Sequence, residues 1–331
     1  MKKMLTIRRY EHADEKAWNQ LVTSARNGTF LFQRAYMNYH ADRFNDHSLM
    51  FVLDNQLLAI MPATEHGRQI RSHGGLTYGG LIFDHRMSTE LVLQCFYCLC
   101  LYFNDLGFET LKYKPVPHIY HVKPAEEDLY AIFRCGGNLI ARGPSAAIDL
   151  HNTEMPGKKQ NGAKRGLRMG LTIRKTEDPT RLVRLIDENL QARHGTQAVH
   201  TPQEMCILTS SFRNNIEVLE LVDSNDQLLG GSIVYVTTKV AHTQYMVIND
   251  AGRPLRGMDV LIMYMMDRYS KICRYLDFGI SSENDGLFLN TTLMAQKEGF
   301  AGSVICYDAY QIDLANALML LKKSQELYCA R

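Results

Sequence analysis

The order of helix-like and strand-like segments repeats along this chain, and this repeat restricts the fold more than any other feature. In each half, two helices are followed by three strands, a glycine-containing loop, a long helix, a strand, a further helix and a last strand. Repetition at a period of about 160 residues predicts a duplicated domain. The chain has 331 residues, and single cores rarely grow past about 250–300 residues, so two domains are expected.

The first half is predicted from helical periodicity and from short apolar runs. A helix over 14–25 is expected, because Asp14 is a capping residue and Trp18 and Leu21 fall on one face. A glycine-rich loop at 73–80 precedes the long helix. The other predicted helices are 32–43, 88–106 and 124–135, and the predicted strands are 48–53, 56–63, 69–72, 109–113 and 138–149.

The second half has clearer helix starts. Asp178 with Pro179, and Thr201 with Glu204, are capping patterns that predict helices over 178–194 and 201–212. Further helices are predicted at 258–273, at 287–297 and after 313, with strands at 217–222, 228–236, 240–248, 275–279 and 303–312. The basic, polar segment 151–170 is interpreted as a linker. The predicted domains are therefore 1–150 and 171–331.

Composition excludes several classes of protein. The formal net charge is only +2, which argues against a dedicated nucleic-acid binder. No segment reaches about 18 consecutive apolar residues, so no membrane span is expected. Charged residues at Arg8, Arg9 and Glu11 interrupt the apolar region that a signal peptide requires, so a cytoplasmic protein is expected.

The cysteines do not form a recognisable metal pattern. Only Cys95, Cys98 and Cys100 cluster, and they lie in an apolar, helix-like run without the second cysteine pair of a zinc site. They are interpreted as small buried apolar side chains, and no metal site is predicted. The other cysteines are Cys135, Cys206, Cys273, Cys306 and Cys329.

Several motifs resemble those of the GNAT superfamily, and in particular its FemAB-like acetyltransferase group. They are LDFGISSENDG at 276–286, QKEGF at 296–300, GTFLF at 28–32 with YMNY at 36–39, HGGLTYGG at 73–80 and GLRMGL at 166–171. The resemblance covers nearly the whole chain. It implies an α/β (α+β) fold of two tandem GNAT-like domains, each with a mixed, mostly antiparallel sheet flanked by helices.

The same resemblance implies transfer of an acyl group to an amine. The donor is acetyl-CoA or another acyl-CoA in GNAT proteins and aminoacyl-tRNA in the peptidoglycan branch, whose long helical arm has no counterpart in this sequence. Two positions depart from the GNAT pattern. The pyrophosphate-binding stretch reads RPLRGM at 253–258, with a single glycine, and Ala295 stands where a general-acid tyrosine is common.

The loop 249–258 is the candidate cofactor-binding site. Such donors carry phosphates, which bind to backbone N–H groups at the start of a helix and to nearby cations. The candidate residues are Arg253, Arg256, Gly257 and Met258. The alternative is a surface turn with solvated arginines.

The segment after the strand at 275–279 is the candidate acceptor site. Attack by an amine requires a base, and Asp277 and Glu283 flank the strand end. Ser281, Ser282 and Asn290 are predicted to bind substrate. The alternatives are helix caps, a surface pair and serines that only bond the backbone of a turn.

The glycine-rich loop of the first half supplies two further catalytic candidates. His73 is a potential base and Tyr78 a potential acid, or the loop is simply a tight turn with a core-facing tyrosine. The linker cations Lys158, Lys159, Lys164, Arg165 and Arg168 either contact an anionic ligand or form a solvated run. Lys297, at the end of a predicted helix, is interpreted as a complement to the helix dipole.

The leading hypothesis is an N-acyltransferase that modifies an amine on a small molecule or on a nucleotide-linked sugar. The acceptor is predicted to bind where the halves meet, near Asp277, Glu283 and Tyr78. One alternative is an aminoacyl-tRNA-dependent ligase of cell-wall synthesis. The other is a catalytically silent binding module with the same fold.

Overall fold

A computed structural model describes residues 5–329 of the chain, with side chains at 5–193 and 195–322; the side chain of Cys329 lies outside the described residues. The chain divides into two compact units. The first comprises the described residues of Met1–Gly143, Glu283–Phe288 and Cys306–Arg331, and the second comprises Pro144–Ser282 and Leu289–Ile305. The proposed domain boundaries at 150 and 170 differ from these limits and stay a prediction.

The helices and strands follow one another from the N-terminal end in two runs. The first run contains β1 (Leu5–Arg9), α1 (Glu15–Ser24), α2 (Arg34–Asn38), β2 (Leu49–Leu53), β3 (Gln56–Met61), β4 (Thr64–His66), β5 (Gln69–Arg71), β6 (Ile82–Phe83), α3 (Thr89–Asp105), β7 (Thr110–Tyr113), α4 (Glu127–Arg134) and β8 (Asn138–Asp149). The second contains α5 (Gly157–Arg168), β9 (Thr172–Thr176), α6 (Thr180–His194), α7 (Pro202–Ser211), β10 (Ile216–Val222), β11 (Leu228–Val236), β12 (Val240–Ile248), α8 (Gly257–Tyr269), β13 (Tyr275–Ile280), β14 (Ser282–Glu283), β15 (Phe288–Leu289), α9 (Thr291–Glu298), β16 (Ser303–Asp313) and α10 (Leu314–Cys329).

The first unit holds an antiparallel sheet in the order β1–β2–β3–β6 and a run of neighbouring strands β4–β5–β7–β16. Helix α3 supplies much of its core, because its apolar residues recur at helical spacing. Cys95, Phe96, Cys100 and Phe103 are all buried. Burial raises the pKa of the Cys95 thiol well above its usual value, so this thiol is a packing group, as expected from the sequence.

The sheet of the second unit runs β8–β13–β12–β11–β10–β9. Neighbouring strands in this sheet are antiparallel to each other, except that β12 and β13 are parallel. Helix α8 covers this sheet with Leu261 and Met265, which are buried among side chains such as Leu219 and Leu276. The prediction of mixed, mostly antiparallel sheets flanked by helices is confirmed.

The segment 151–170, interpreted as a linker, contains α5 and belongs to the second unit. Its buried positions are Gly162, Ala163 and Gly166. These small residues let the helix backbone lie close to α8. A Cβ atom added to Gly166 would lie only 2.6 Å from Val260 Cγ2.

Candidate active site

Strands β12 and β13 pair over only part of their length. The parallel register joins Val240–His242 to Tyr275–Asp277 and ends there. Both strands carry an extra residue close to this point: Gln244 in β12, opposite Ile233–Val234, and one residue between Asp277 and Ile280 in β13. Such bulges bend a strand and strengthen its twist. His242 and Asp277 therefore face each other at the place where the two strands separate.

Asp277 is fully buried, and both oxygens of its carboxylate contact polar groups. Oδ1 accepts hydrogen bonds from Ser145 Oγ at 2.5 Å and from the Gly279 backbone N–H at 3.1 Å. Oδ2 lies 2.9 Å from Nδ1 of His242. A buried carboxylate is stable only with such partners. Because it favours a proton on Nδ1, it directs the lone pair of the neutral imidazole to Nε2.

Lys297 lies beside this pair. Its side chain is 6% exposed, and Nζ donates to the carbonyl oxygens of Gly279 at 2.7 Å and Ile280 at 3.1 Å. Burial lowers the pKa of Lys297 to about 8, and the negative charge of Asp277 opposes that shift. The side chain is therefore inside the protein, and it lies in the last turn of α9, where a cation complements the helix dipole as the sequence predicts.

The predicted substrate-binding residues surround the end of β13. Ser281 is buried, its N–H donates to the Pro144 carbonyl at 2.9 Å, and its carbonyl accepts from the Asn290 N–H at 2.9 Å. The Asn290 side chain caps α9 by accepting from the Leu293 N–H at 3.0 Å. Among the described side chains, the hydroxyls of Ser281 and Ser282 are buried without a hydrogen-bond partner.

The loop 249–258, here called the donor loop after the role that the sequence predicts for it, leads from β12 into α8. Arg253 is exposed; its Nε donates to the Ile248 carbonyl at 3.3 Å. Arg256 occupies the left-handed region, with φ 67°, directly before the helix, and its Nη2 lies 2.5 Å from Asp259 Oδ2. Gly257 is buried at the first helical position. Met258 packs against the core with its side chain.

The remaining candidates lie in the first unit, whereas Asp277 lies in the second. Tyr78 is buried and donates to Thr29 Oγ1 at 3.4 Å. His73 is buried with φ 61°, and desolvation lowers the pKa of its imidazole to about 3. Glu283 is exposed at the start of a short 3-10 turn, Asn284–Gly286. Their predicted catalytic roles stay predictions.

Comparison with known proteins identifies the region that holds this site. Residues 157–285 match the family model described as an acetyltransferase (GNAT) domain. This segment is similar to a GNAT domain. It contains α5, the separation of β12 from β13, the donor loop and both His242 and Asp277. No curated protein matches the sequence.

Solved structures extend the likeness over almost the whole chain. FemX aligns with 94% of this chain and 97% of its own, at 10% identity and a TM-score of 0.67. The C-terminal domain of a protein described as a lysylphosphatidylglycerol synthetase, from Agrobacterium fabrum, aligns over 95% and 96%, at 16% identity and a TM-score of 0.60. A tandem GNAT protein from the clavulanic acid biosynthesis pathway aligns over 94% and 99%, at 11% identity and a TM-score of 0.50. The chain has the tandem, FemAB-like GNAT fold that its sequence predicts.

Sequence reasoning singled out Asp277 but missed its two most informative neighbours. His242 is one histidine of twelve, and nothing in its local pattern distinguishes it from a strand residue. Lys297 precedes Glu298 and Gly299 near a helix end, where lysines are usually exposed. The available signal was its place in the QKEGF motif that carries the family resemblance.

Two negative observations concern the described part of the chain. None of its helices has the length and apolar character needed to cross a bilayer. Within the same residues, no three histidine, cysteine or acidic side chains converge in a way that would hold a metal ion.

Proposed function

We propose that this protein is an N-acyltransferase that moves an acyl group from an acyl-CoA donor to an amine on a small molecule or a nucleotide-linked sugar. The observation that supports this function best is the end of the β12–β13 pairing at His242 and Asp277, inside the segment that matches the GNAT family model. An acyl donor placed between the separating strands lies next to a buried carboxylate–imidazole pair. The reaction needs these groups because an amine is mostly protonated at neutral pH.

The acid–base chemistry can be assigned to named atoms. The acceptor ammonium first loses one proton to water; His242 Nε2 then accepts a second proton from the amine as its nitrogen attacks the thioester carbonyl carbon. Asp277 holds the ring through Nδ1 and stabilises the imidazolium that forms. The carbon–sulfur bond then breaks, and the proton passes to the leaving thiolate. Desolvation lowers the pKa of the His73 imidazole to about 3, so His73 is a weak base at neutral pH.

Lys297 is proposed to stabilise the negative charge that develops on the carbonyl oxygen. An ammonium has three N–H donors, and two of them are directed at the carbonyls of Gly279 and Ile280. The third is proposed to donate to the carbonyl oxygen of the donor. Donors that are fixed before the reaction contribute most to such stabilisation. Lys297 thereby takes the place of an acid at Ala295, which has no polar side chain.

The donor loop is proposed to bind the phosphates of the donor. The N-terminal end of α8 carries the positive end of a helix dipole, and Arg253 and Arg256 add two cations. The proposed roles of Ser281, Ser282 and Asn290 in binding the acceptor, and of Glu283 and Tyr78 in catalysis, rest on the sequence and belong to this hypothesis.

A second candidate donor is aminoacyl-tRNA, which the FemAB-like resemblance implies and which the likeness to FemX favours. The bond broken would then be an ester, and the same base and oxyanion donor would serve. A silent binding module remains the third hypothesis from the sequence.

Turnover with defined donors tests the proposal. Purified protein is incubated with acetyl-CoA or with charged tRNA, together with amino sugars, nucleotide-linked amino sugars and simple amines. Mass spectrometry detects the acylated product, and a thiol reagent measures free CoA. An acylated amine with one CoA released per product supports the proposal. Transfer from charged tRNA alone favours the second candidate, and binding of donor without any turnover of an amine favours the silent module.

A further inference from the structure

Helix α5 is strongly cationic, and its cations have no role in the proposed reaction. Its twelve residues include five cations and no acidic side chain. These cations are Lys158, Lys159, Lys164, Arg165 and Arg168. A surface helix usually balances such a run with acidic neighbours at helical spacing, so this composition requires an explanation.

Glycine packing fixes α5 against the donor loop. A Cβ on Gly162 would overlap Asp259 Oδ2 and lie 2.7 Å from Arg256 Nε, and one on Gly166 would lie 2.8 Å from the Leu255 carbonyl oxygen. Real Cβ atoms do not approach other atoms so closely. The backbone of α5 therefore lies directly beside Arg256, at the start of α8.

Two cations share one buried carboxylate at this contact. Lys159 Nζ lies 3.8 Å from Asp259 Oδ1, and Arg256 Nη2 lies 2.5 Å from Asp259 Oδ2. Lys159 Nζ also lies 4.1 Å from the centroid of the Phe300 ring. Asp259 is 4% exposed, whereas the Lys159 and Arg256 side chains are about one-third exposed. One negative charge cannot neutralise both, so the contact keeps a net positive charge that reaches the surface.

Helical geometry places two of the remaining cations of α5 nearer to Gly162 than the other two. Lys158 and Arg165 lie four residues before and three residues after Gly162, so they share its side of the helix. Lys164 and Arg168 lie about 160° and about 120° from Gly162 around the helix axis, at 100° per residue, whereas Lys158 and Arg165 lie within about 60° of it. All four are exposed.

We propose that α5 supplies the phosphate-binding charges of the donor site. Lys158, Lys159 and Arg165 act with Arg256 to bind the diphosphate group of a coenzyme A donor, which carries several negative charges. This proposal rests on the proposed function and deepens it. The RPLRGM stretch at 253–258 has a single glycine, and side-chain cations from α5 take over part of the anion binding that a glycine-rich loop performs with backbone N–H groups.

Calorimetric titration with acetyl-CoA tests the proposal with two matched double variants. Lys158→Gln with Arg165→Gln removes two charges on the Gly162 side, whereas Lys164→Gln with Arg168→Gln removes two charges of the same helix that lie further from Gly162 around its axis. We expect the first variant to weaken Kd about tenfold, and the second less than about twofold. The difference should shrink in high salt, because screening weakens exposed charge pairs.

Two further ligands identify the chemical group that is bound. S-acetylpantetheine lacks the phosphates, so it should bind both variants and the parent protein alike. Inorganic pyrophosphate should compete with acetyl-CoA on the parent protein and much less on the Lys158/Arg165 variant. Equal affinity of acetyl-CoA for both double variants, or an equal loss in both, overturns the proposal.

Turnover separates this proposal from the proposed function. If the Lys158/Arg165 variant binds and uses acetyl-CoA like the parent protein, the acyltransferase function stands and the role of α5 is wrong. If the parent protein neither binds acetyl-CoA nor transfers its acyl group, both are wrong. If only binding of charged tRNA depends on these residues, α5 binds a different donor and the proposal for coenzyme A fails.

Discussion

Asp277 Oδ2 lies 2.9 Å from His242 Nδ1, and the two residues form the last pair of the β12–β13 ladder. The ladder brings together residues that are 35 positions apart, and the carboxylate is fully buried. Sheet pairing thus positions the imidazole before any substrate binds. Fixed geometry of this kind is what acid–base catalysis requires.

Removing either member of this pair should reduce turnover without weakening donor binding. For Asp277→Asn and His242→Gln we expect turnover to fall about 10²–10⁴-fold, the usual contribution of general-base catalysis. The measurements are turnover of the acylated amine and Kd for the donor. Asp267→Asn, at a 78% exposed side chain on α8, is the control. Full turnover in both site variants would place the base elsewhere, with Glu283→Gln the next variant to measure.

Lys297 should make stability depend on pH in a characteristic direction. Its pKa is about 8 in the folded protein and near 10.5 when unfolded, so the unfolded chain binds more protons between those values. The parent protein should therefore gain up to about 3 kcal/mol in the free energy of unfolding, relative to Lys297→Met, as pH rises from 8 to 10.5. Denaturant titrations of both proteins at pH 7, 8.5 and 10 measure the difference.

The same variant tests the proposed role of Lys297. Lys297→Met should lose most of its turnover, because the ammonium that stabilises the oxyanion is gone. Activity of the parent protein should decline above pH 8, as the ammonium loses its proton. A variant that keeps its turnover but shows the predicted stability difference would confirm the burial of Lys297 and contradict its catalytic role.

The sequence predicted the elements that have strong local signals. The capping box of Thr201 and Glu204 forms as expected, and Ser88 caps α3. Helix α5 was missed because glycine and alanine form its buried face, so it lacks the apolar period that marks an amphipathic helix. Helix α9 begins at Thr291 rather than 287, since Asn290 is the cap. The short edge strands β1 and β9 have too few apolar residues to be recognised.

The candidate site was predicted only in part, for a different reason. Asp277 was recognised from its place at a strand end, but its partner depends on which strands are neighbours and in which register. The sequence does not specify that parallel pairing. Burial of Lys297 likewise depends on the backbone carbonyls of Gly279 and Ile280, which reach it because Gly279 adopts φ +74° at the bulge. The periodicity of apolar residues along the chain does not predict such contacts.

Asp128 should make the free energy of unfolding change with pH in the direction opposite to the effect of Lys297. It is buried, Tyr113 donates to its Oδ2 at 2.8 Å, and desolvation raises its pKa to about 7. The folded state therefore binds more protons than the unfolded chain between about pH 4 and pH 7. Stability should fall as pH rises through that range, by up to about 4 kcal/mol.

Asp128→Asn should remove this dependence, since an amide does not ionise and its oxygen still accepts from Tyr113. Thermal unfolding of the variant and the parent protein at pH 5 and pH 8 measures the effect. The parent protein should lose stability relative to the variant at pH 8. If the difference in stability between the two proteins is the same at pH 5 and pH 8, the carboxyl ionises as readily in the folded protein as in the unfolded chain.

The packing of α5 gives the last prediction, which uses two glycines of one helix. Gly162→Ala places a methyl group into Asp259 and the Arg256 guanidinium, and neither can withdraw easily because they are bonded to each other. Overpacking of this kind typically costs about 1–3 kcal/mol. Gly157→Ala meets nothing within 4 Å and should be neutral or stabilise the helix by up to about 1 kcal/mol, because alanine favours helix more than glycine. Denaturant midpoints measure both effects.

If α5 also binds the donor phosphates, Gly162→Ala weakens donor affinity as well, because the shifted helix separates its cations from Arg256, whereas Gly157→Ala leaves that affinity unchanged. Equal stability of the two variants would mean that α5 does not pack on α8 through Gly162.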